Sequence, residues 1–222
     1  ALQSLLQRRD LVKSLAAREI RASFTGSVLG VTWIFLRPLL SLCVYGLVFG
    51  GILGLNRGMG GMEFVCDLFM GMIVFQVFAE IASRAPGLIV SRRNYVTKIS
   101  FPLDVLPWPA AALSATYACA SSLLLVLIYV TTVATPAWTA LLLPLILTPA
   151  VFFGVSAAWV LSAIGVYVRD TGEFVRVGLQ LLFFLSPIVW SIDMVSEPTI
   201  RQCILLNPLA VLIETARGAL SG

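Results

Sequence analysis

The chain has 222 residues, 15 of them basic and 11 acidic, so that 12% are charged, 59% are apolar and the formal net charge is +4. Mean hydropathy is +0.97. A soluble domain carries roughly twice that share of charge and cannot hide so much apolar surface from water, and a disordered chain needs the opposite composition. The solvent that suits this composition is a bilayer. The chain reads as one transmembrane domain over 1–222, an all-α, polytopic helical bundle. It has no histidine, hence no histidine base or ligand. Its cysteines, Cys43, Cys66, Cys119 and Cys203, show no CxxC spacing, so neither a metal site nor a redox pair is expected. A disulfide between Cys66 and Cys203 would require both to face an oxidising compartment. The chain starts at Ala1 without a methionine or a cleavable leader, which reads as part of a longer protein.

Residues 1–24 are too charged to span. Leu2, Leu5, Leu6, Val12, Leu15, Ala16 and Ile20 recur at helical spacing with basic residues between them, which predicts an interfacial amphipathic helix. It serves either as an anchor to anionic lipid or as a contact surface for a cytoplasmic partner. Spans follow over about 28–53 and 68–83, since a helix needs about 20 mostly apolar residues to cross about 30 Å of hydrocarbon. From Val105 to Val168, 64 consecutive residues carry no charge. That run divides at Thr131–Thr139, around Pro136 and Trp138, into spans over about 108–131 and 140–166. A fifth span is expected over 174–192, kinked at Pro187. The apolar run Cys203–Ile213 is too short to cross and is broken by Asn207-Pro208, so it reads as a re-entrant or interfacial hairpin. Five spans leave the chain ends on opposite sides, and a sixth is expected beyond Gly222.

The basic residues orient the bundle. Eleven lie in 1–24 and in the loops after spans two and four, whereas Arg57, Arg201 and Arg217 lie on the other side. The positive-inside bias therefore puts the N-terminus in the cytoplasm. The loop 84–107 is longer than a helix connection needs, and Pro86 and Pro102 bracket a stretch able to form about three helical turns. It is either a solvated basic loop or a lever for a cytoplasmic protein. Arg37 lies inside the first apolar run, just before Pro38. It either snorkels to the interface or lines a path for an anionic group. Gln76 and Glu80, one turn apart, share a face directed into the bundle. Gly46, Gly50 and Gly54 follow the GxxxG spacing that permits close helix approach. No phosphate-cradling GxxxxGK[ST] loop occurs.

Four ordered stretches carry a resemblance. They are Arg8-Arg9-Asp10-Leu11 leading to Arg18-Glu19-Ile20-Arg21-Ala22-Ser23-Phe24; Gly26-Ser27-Val28-Leu29-Gly30-Val31-Thr32-Trp33 running into Arg37-Pro38-Leu39; Lys98-Ile99-Ser100-Phe101-Pro102 with Leu106-Pro107; and Tyr167-Val168-Arg169-Asp170 with Leu181-Leu182-Phe183-Phe184-Leu185-Ser186-Pro187. Together with Leu206-Asn207-Pro208-Leu209 they make the chain resemble the membrane subunit of ABC-2 type transporters, in particular polysaccharide exporters. The resemblance implies a permease without a nucleotide site of its own, paired with a second copy and bound to two cytoplasmic ABC ATPase subunits that hold ATP and magnesium. It implies a bacterial inner-membrane location, no nucleic acid, and a lipid-linked glycan on polyprenyl diphosphate as substrate. It also implies a coupling helix over 88–99, with Ser91, Arg92, Arg93, Asn94, Tyr95 and Lys98 as ATPase contacts. Two short outer gate helices are implied over 196–220. A channel lined by aromatics would draw on Trp33, Arg37, Tyr45, Phe49, Phe75, Phe183 and Phe184. Export of a smaller lipid or drug, an enzyme acting on a lipid-linked sugar with Asp104, Asp170 or Glu173, and a structural scaffold remain as other readings.

Overall fold

The computed structural model describes residues 9–52, 54, 60–92, 103–133 and 138–221, and among these every regular element is helical. The helices are α1 (Arg9–Phe24), α2 (Trp33–Tyr45), α3 (Gly61–Arg84), α4 (Pro107–Thr132), α5 (Leu143–Tyr167), α6 (Thr171–Leu185), α7 (Pro198–Leu205) and α8 (Pro208–Ser221). Prolines mark many starts. Pro107, Pro144, Pro198 and Pro208 stand in first turns, where the missing N–H has no partner to lose.

Four stretches are long and apolar enough to cross a membrane: Gly30–Ile52, Gly61–Gly87, Leu103–Thr132 and Trp138–Tyr167. The second begins seven residues before the expected 68, and the acids in that added stretch are accommodated. Glu63 Oε2 accepts from the Gly60 backbone N–H at 3.4 Å, and Asp67 is paired with Arg217. The expected span over 174–192 is a shorter helix. α6 has 15 residues, about 22 Å at 1.5 Å per residue, less than the hydrocarbon thickness. Pro187 ends it rather than bending it: Ser186 is driven to an extended ψ of 144°, as a residue before proline is. The chain then turns through 186–197 into α7 and α8, which meet at 90°. A fifth crossing is reached only if that bent pair counts as one.

α3 is the post of the bundle. It contacts α2, α4, α5, α6 and α8, and 72% of its apolar window is buried, against 6% for the first span. Phe64, Phe69, Met70 and Ile73 of α3 are buried almost completely. α8 lays Leu209, Ile213 and Ala216 into the same core. The buried Ser114 hydroxyl of α4 donates to Val77 O of α3 at 2.9 Å, the kind of interhelical polar contact that holds helices together where the hydrophobic effect does not. α1 lies against α4, with Leu11, Val12, Leu15, Ala16, Glu19 and Ile20 half-buried. The expected amphipathic face is therefore turned onto the bundle; Leu2, Leu5 and Leu6 lie outside the described residues. Gly26, at φ 83°, breaks the helix and turns the chain toward α2.

Two glycines allow α5 to approach closely. A Cβ on Gly154 would stand 2.9 Å from Ile81 Cδ1, and one on Gly165 would strike the Pro86 carbonyl oxygen, with Pro86 Cα at 2.9 Å. Gly165 therefore holds the segment after α3 against α5. The expected outcome for Gly165→Ala is a loss of about 1–3 kcal/mol from overpacking, with faster tryptic cleavage after Arg84 and Arg92. Gly178→Ala, where nothing lies within 4 Å, should be neutral or gain up to about 1 kcal/mol. Thermal unfolding of the full-length protein in detergent, with limited trypsin digestion, checks both.

Candidate functional site

Five of the seven aromatic and basic residues expected to line a path form one continuous ring system. Tyr45 stacks on Phe49 at 5.9 Å with an interplanar angle of 4° and meets Phe183 at 6.4 Å. Phe183 contacts Phe75 edge-on at 5.4 Å and Phe184 at 5.4 Å. The system joins α2, its π-helical continuation Gly46–Ile52, α3 and α6. The members are not equivalent. Phe75 is 8% exposed beneath Phe183, whereas Phe184 is 63% exposed and presents its ring outward. Trp33 stands apart: its Nε1–H donates to Ser27 Oγ at 2.9 Å and fixes the turn between α1 and α2.

Arg37 lies elsewhere on α2. Its guanidinium sits 5.0 Å above the Tyr117 ring of α4. Together with Gln76, Glu80, Ser83 and Ser121 it lines a cavity of about 280 Å³ between α2, α3, α4 and α6. Gln76 is exposed there although its helix neighbours are buried.

At the Arg84 end of α3, charges from three segments converge. Arg84 Nη2 is 2.7 Å from Glu80 Oε1, and its Nη1 is 3.3 Å from Glu19 Oε1 of α1. Arg92 Nη2 is 2.8 Å from Glu19 Oε2. Glu19 thus clasps the end of α3 and the start of the following loop at once. Two acids and two guanidiniums balance, all at most about one-third exposed. Of the residues expected at a partner contact, Ser91 caps a turn by donating to Leu88 O, and Arg92 faces Glu19. Arg93, Asn94, Tyr95 and Lys98, with most of the expected coupling helix, lie outside the described residues.

The other end of α3 holds a second charge cluster. Arg217 of α8 is 7% exposed; its Nε is 3.1 Å from Asp67 Oδ1 and its Nη1 3.1 Å from Glu214 Oε1. Its Nη2 donates to Ile188 O at 2.6 Å, just beyond the end of α6. Asn207, between α7 and α8, donates from Nδ2 to Ser186 Oγ at 3.0 Å and accepts from Leu209 N at 3.1 Å. The bent pair is therefore latched to the end of α6 and to α3. Gly71 of α3 leaves the room, since a Cβ there would meet Arg217 Nη2 at 3.2 Å. Sequence reasoning treated Arg217 only as a count in a loop. The signal was present: Asp67 and Arg217 are opposite charges in largely apolar helices, and each needs a partner there.

Of the acids considered for an enzyme reading, Glu173 takes Arg176 in a two-oxygen contact at 2.7 and 2.9 Å, whereas at Asp104 it is the backbone carbonyl, not the carboxylate, that accepts from Trp159 Nε1 at 3.2 Å. Among the described residues no group of three His, Cys, Asp or Glu side chains could hold a metal ion.

Comparisons with known proteins extend along nearly all of this architecture. A family model described as ABC-2 type transporter matches residues 10–220. The chain is 31% identical over 218 residues to a protein named O-antigen export system permease protein RfbA from Myxococcus xanthus, covering 96% of this chain and 81% of that one. It is 24% identical over 209 residues to a Klebsiella pneumoniae protein of the same name, covering 94% and 79%. It is also 26% identical over 213 residues to polysialic acid transport protein KpsM from Escherichia coli, covering 94% and 80%.

Removing one partner of a buried ion pair leaves an uncompensated charge and costs about 3–5 kcal/mol, whereas replacing both by apolar residues is often neutral. Asp67→Leu takes the carboxylate from the buried Arg217 Nε and should lower the unfolding temperature of the full-length protein, and Asp67→Leu with Arg217→Met and Glu214→Gln, which removes every charge of the cluster, should restore most of it. Thermal unfolding of the single and triple variants measures the difference.

Proposed function

The chain belongs to the ABC-2 type transporter family as a multi-pass membrane permease subunit rather than an enzyme, and we propose that it forms the path by which a lipid-linked polysaccharide crosses the cytoplasmic membrane. In this reading the cargo is an O-antigen-like glycan on polyprenyl diphosphate. The membrane is the bacterial inner membrane, with the N-terminus in the cytoplasm. Two copies work with two cytoplasmic ATPase subunits, which hold ATP and magnesium. The observation that carries the reading is likeness along 96% of the chain to a protein named as an O-antigen export permease. The connected rings of Tyr45, Phe49, Phe183 and Phe184 support it, because aromatic faces suit the apolar C–H faces of sugars. A glycan can pass along such a row without deep binding at any one ring.

The charge clusters give the reading a mechanism. The ATPases close on ATP and press on the segment around 88–99. Arg92 joins that segment to Glu19, and Glu19 joins it to Arg84 on α3, so the push enters the buried post and α1 together. α3 then carries it to Asp67, where Arg217 binds the bent pair α7–α8. These two helices act as the outer gate, and the glycan advances when they shift.

Two measurements test the reading. The full-length protein co-purified with its ATPase should give a complex of two plus two, whose ATP hydrolysis in lipid nanodiscs changes when lipid-linked glycan is added. Absence of any bound ATPase would overturn the reading. In that complex, Arg92→Glu with Arg93→Glu should reduce glycan-stimulated turnover several-fold without preventing membrane insertion. Adding Glu19→Arg should return part of it by restoring the pair to residue 92.

A further inference from the structure

Within the four stretches long enough to cross the membrane, the described arginines are Arg37 and Arg84. Arg84 is neutralised by Glu80 and Glu19. Arg37 has no carboxylate within ion-pair distance among the described residues; its partner is the face of Tyr117 at 5.0 Å. Glu80 borders the same cavity, but its Oε1 already accepts from Arg84 at 2.7 and 2.9 Å. An ionised side chain at membrane depth is costly unless an opposite charge reaches it. That opposite charge has to come from outside the pairs already made.

We propose that Arg37 and the cavity it lines form a binding subsite for a phosphoryl group carried on a lipid. The chemistry is in the geometry. The Tyr117 ring makes a cation–π contact with the guanidinium, whose N–H donors make no hydrogen bond among the described residues and stay available as a fork. Such a fork matches two oxygens of a phosphoryl group. Gln76 adds amide donors at the same wall, exposed on a helix whose neighbouring side chains are buried. Leu179 and Ile73 supply apolar walls. At about 280 Å³ the cavity lies at the small end of ligand sites, so it takes a headgroup and leaves a glycan outside. Arg37 stands seven residues into the first span, about 10 Å along the axis from Gly30. A phosphoryl group held by a lipid tail reaches that depth; a freely dissolved carboxylate has no such anchor. The identity of the lipid rests on the exporter reading, in which it is the polyprenyl carrier; the phosphoryl chemistry does not.

The test uses the full-length permease with its ATPase in phosphatidylcholine nanodiscs and a polyprenyl diphosphate as probe. Binding is read by native mass spectrometry. Arg37→Gln should raise the apparent Kd about tenfold to a hundredfold, the size expected for losing a charge-assisted contact. Arg37→Lys, with a charge but no fork, should fall between. Neutral polyprenol should bind wild type and variants alike. Tyr117→Leu should weaken diphosphate binding in the same direction without touching the charge, and it serves if Arg37→Gln fails to fold. Competition by phosphatidylglycerol that also depends on Arg37 would support the phosphoryl site and assign it to bulk lipid. An unchanged Kd in a folded Arg37→Gln protein would overturn the proposal. Failure of the exporter reading looks different: no ATPase would bind, while the permease alone would keep Arg37-dependent binding.

Discussion

An ionised group inside an apolar bundle must meet its opposite, and the placement of those meetings organises this protein. With 26 charged residues in 222, few charges are there to be matched, and those near α3 are matched across helices as well as along them. Asp67 at one end binds Arg217 of α8; at the other, Arg84 pairs with Glu80 of its own helix and with Glu19 of α1, which also holds Arg92. α3 is buried along most of its length, so it bends little and slides little without breaking packed contacts. In the proposed reading, a stiff rod tied at both ends to its neighbours is a transmission element. In that reading the ties at one end face the ATPase and those at the other face the exit.

Much of this was legible in the sequence because hydropathy and proline act locally. The 64-residue uncharged run, broken around Pro136, gave two helices within a few residues of their observed ends. Asn207-Pro208 marked the joint of the bent pair. Errors arose where a residue's neighbourhood depends on distant chain. The span over 68–83 left out Glu63 and Asp67, which the helix accommodates through the Gly60 amide and through Arg217, 150 positions away from Asp67. Pro187 read as a kink because its effect on Ser186 is to stop α6, which no periodicity reveals. Among the site residues, Tyr45, Phe49, Phe75, Phe183 and Phe184 come from the aromatic lining that the family resemblance implies. That resemblance could not tell the covered Phe75 from the exposed Phe184, since burial is decided by Phe183 on another helix.

In the proposed reading, the aromatic row and the Arg37 cavity divide the work of handling an amphiphile. The rings of α2 and α6 offer flat apolar surface with no fixed polar demand, which suits a repeating cargo that must move on. The cavity between α2, α3, α4 and α6 offers one fixed charge and a small volume, which suits the single end that is held. Both contact α3, through Phe75 and through Gln76, on successive residues of one helix. A shift of α3 would therefore reach both.

The claim that α3 and its two charge clusters move as one body is open to a direct distance measurement. Spin labels are placed on Cys203 of α7, on Gly87→Cys after α3 and, separately, on Cys43 of α2, each exposed, with the remaining cysteines replaced. Pulsed electron–electron resonance on the ATPase complex is recorded with and without a non-hydrolysable ATP analogue. The account predicts that the 87–203 distance keeps one narrow distribution in both states while the 43–203 distance shifts, and that Arg217→Gln broadens the 87–203 distribution. A nucleotide-dependent change in the 87–203 distance of the unmutated protein, with 43–203 constant, would contradict it.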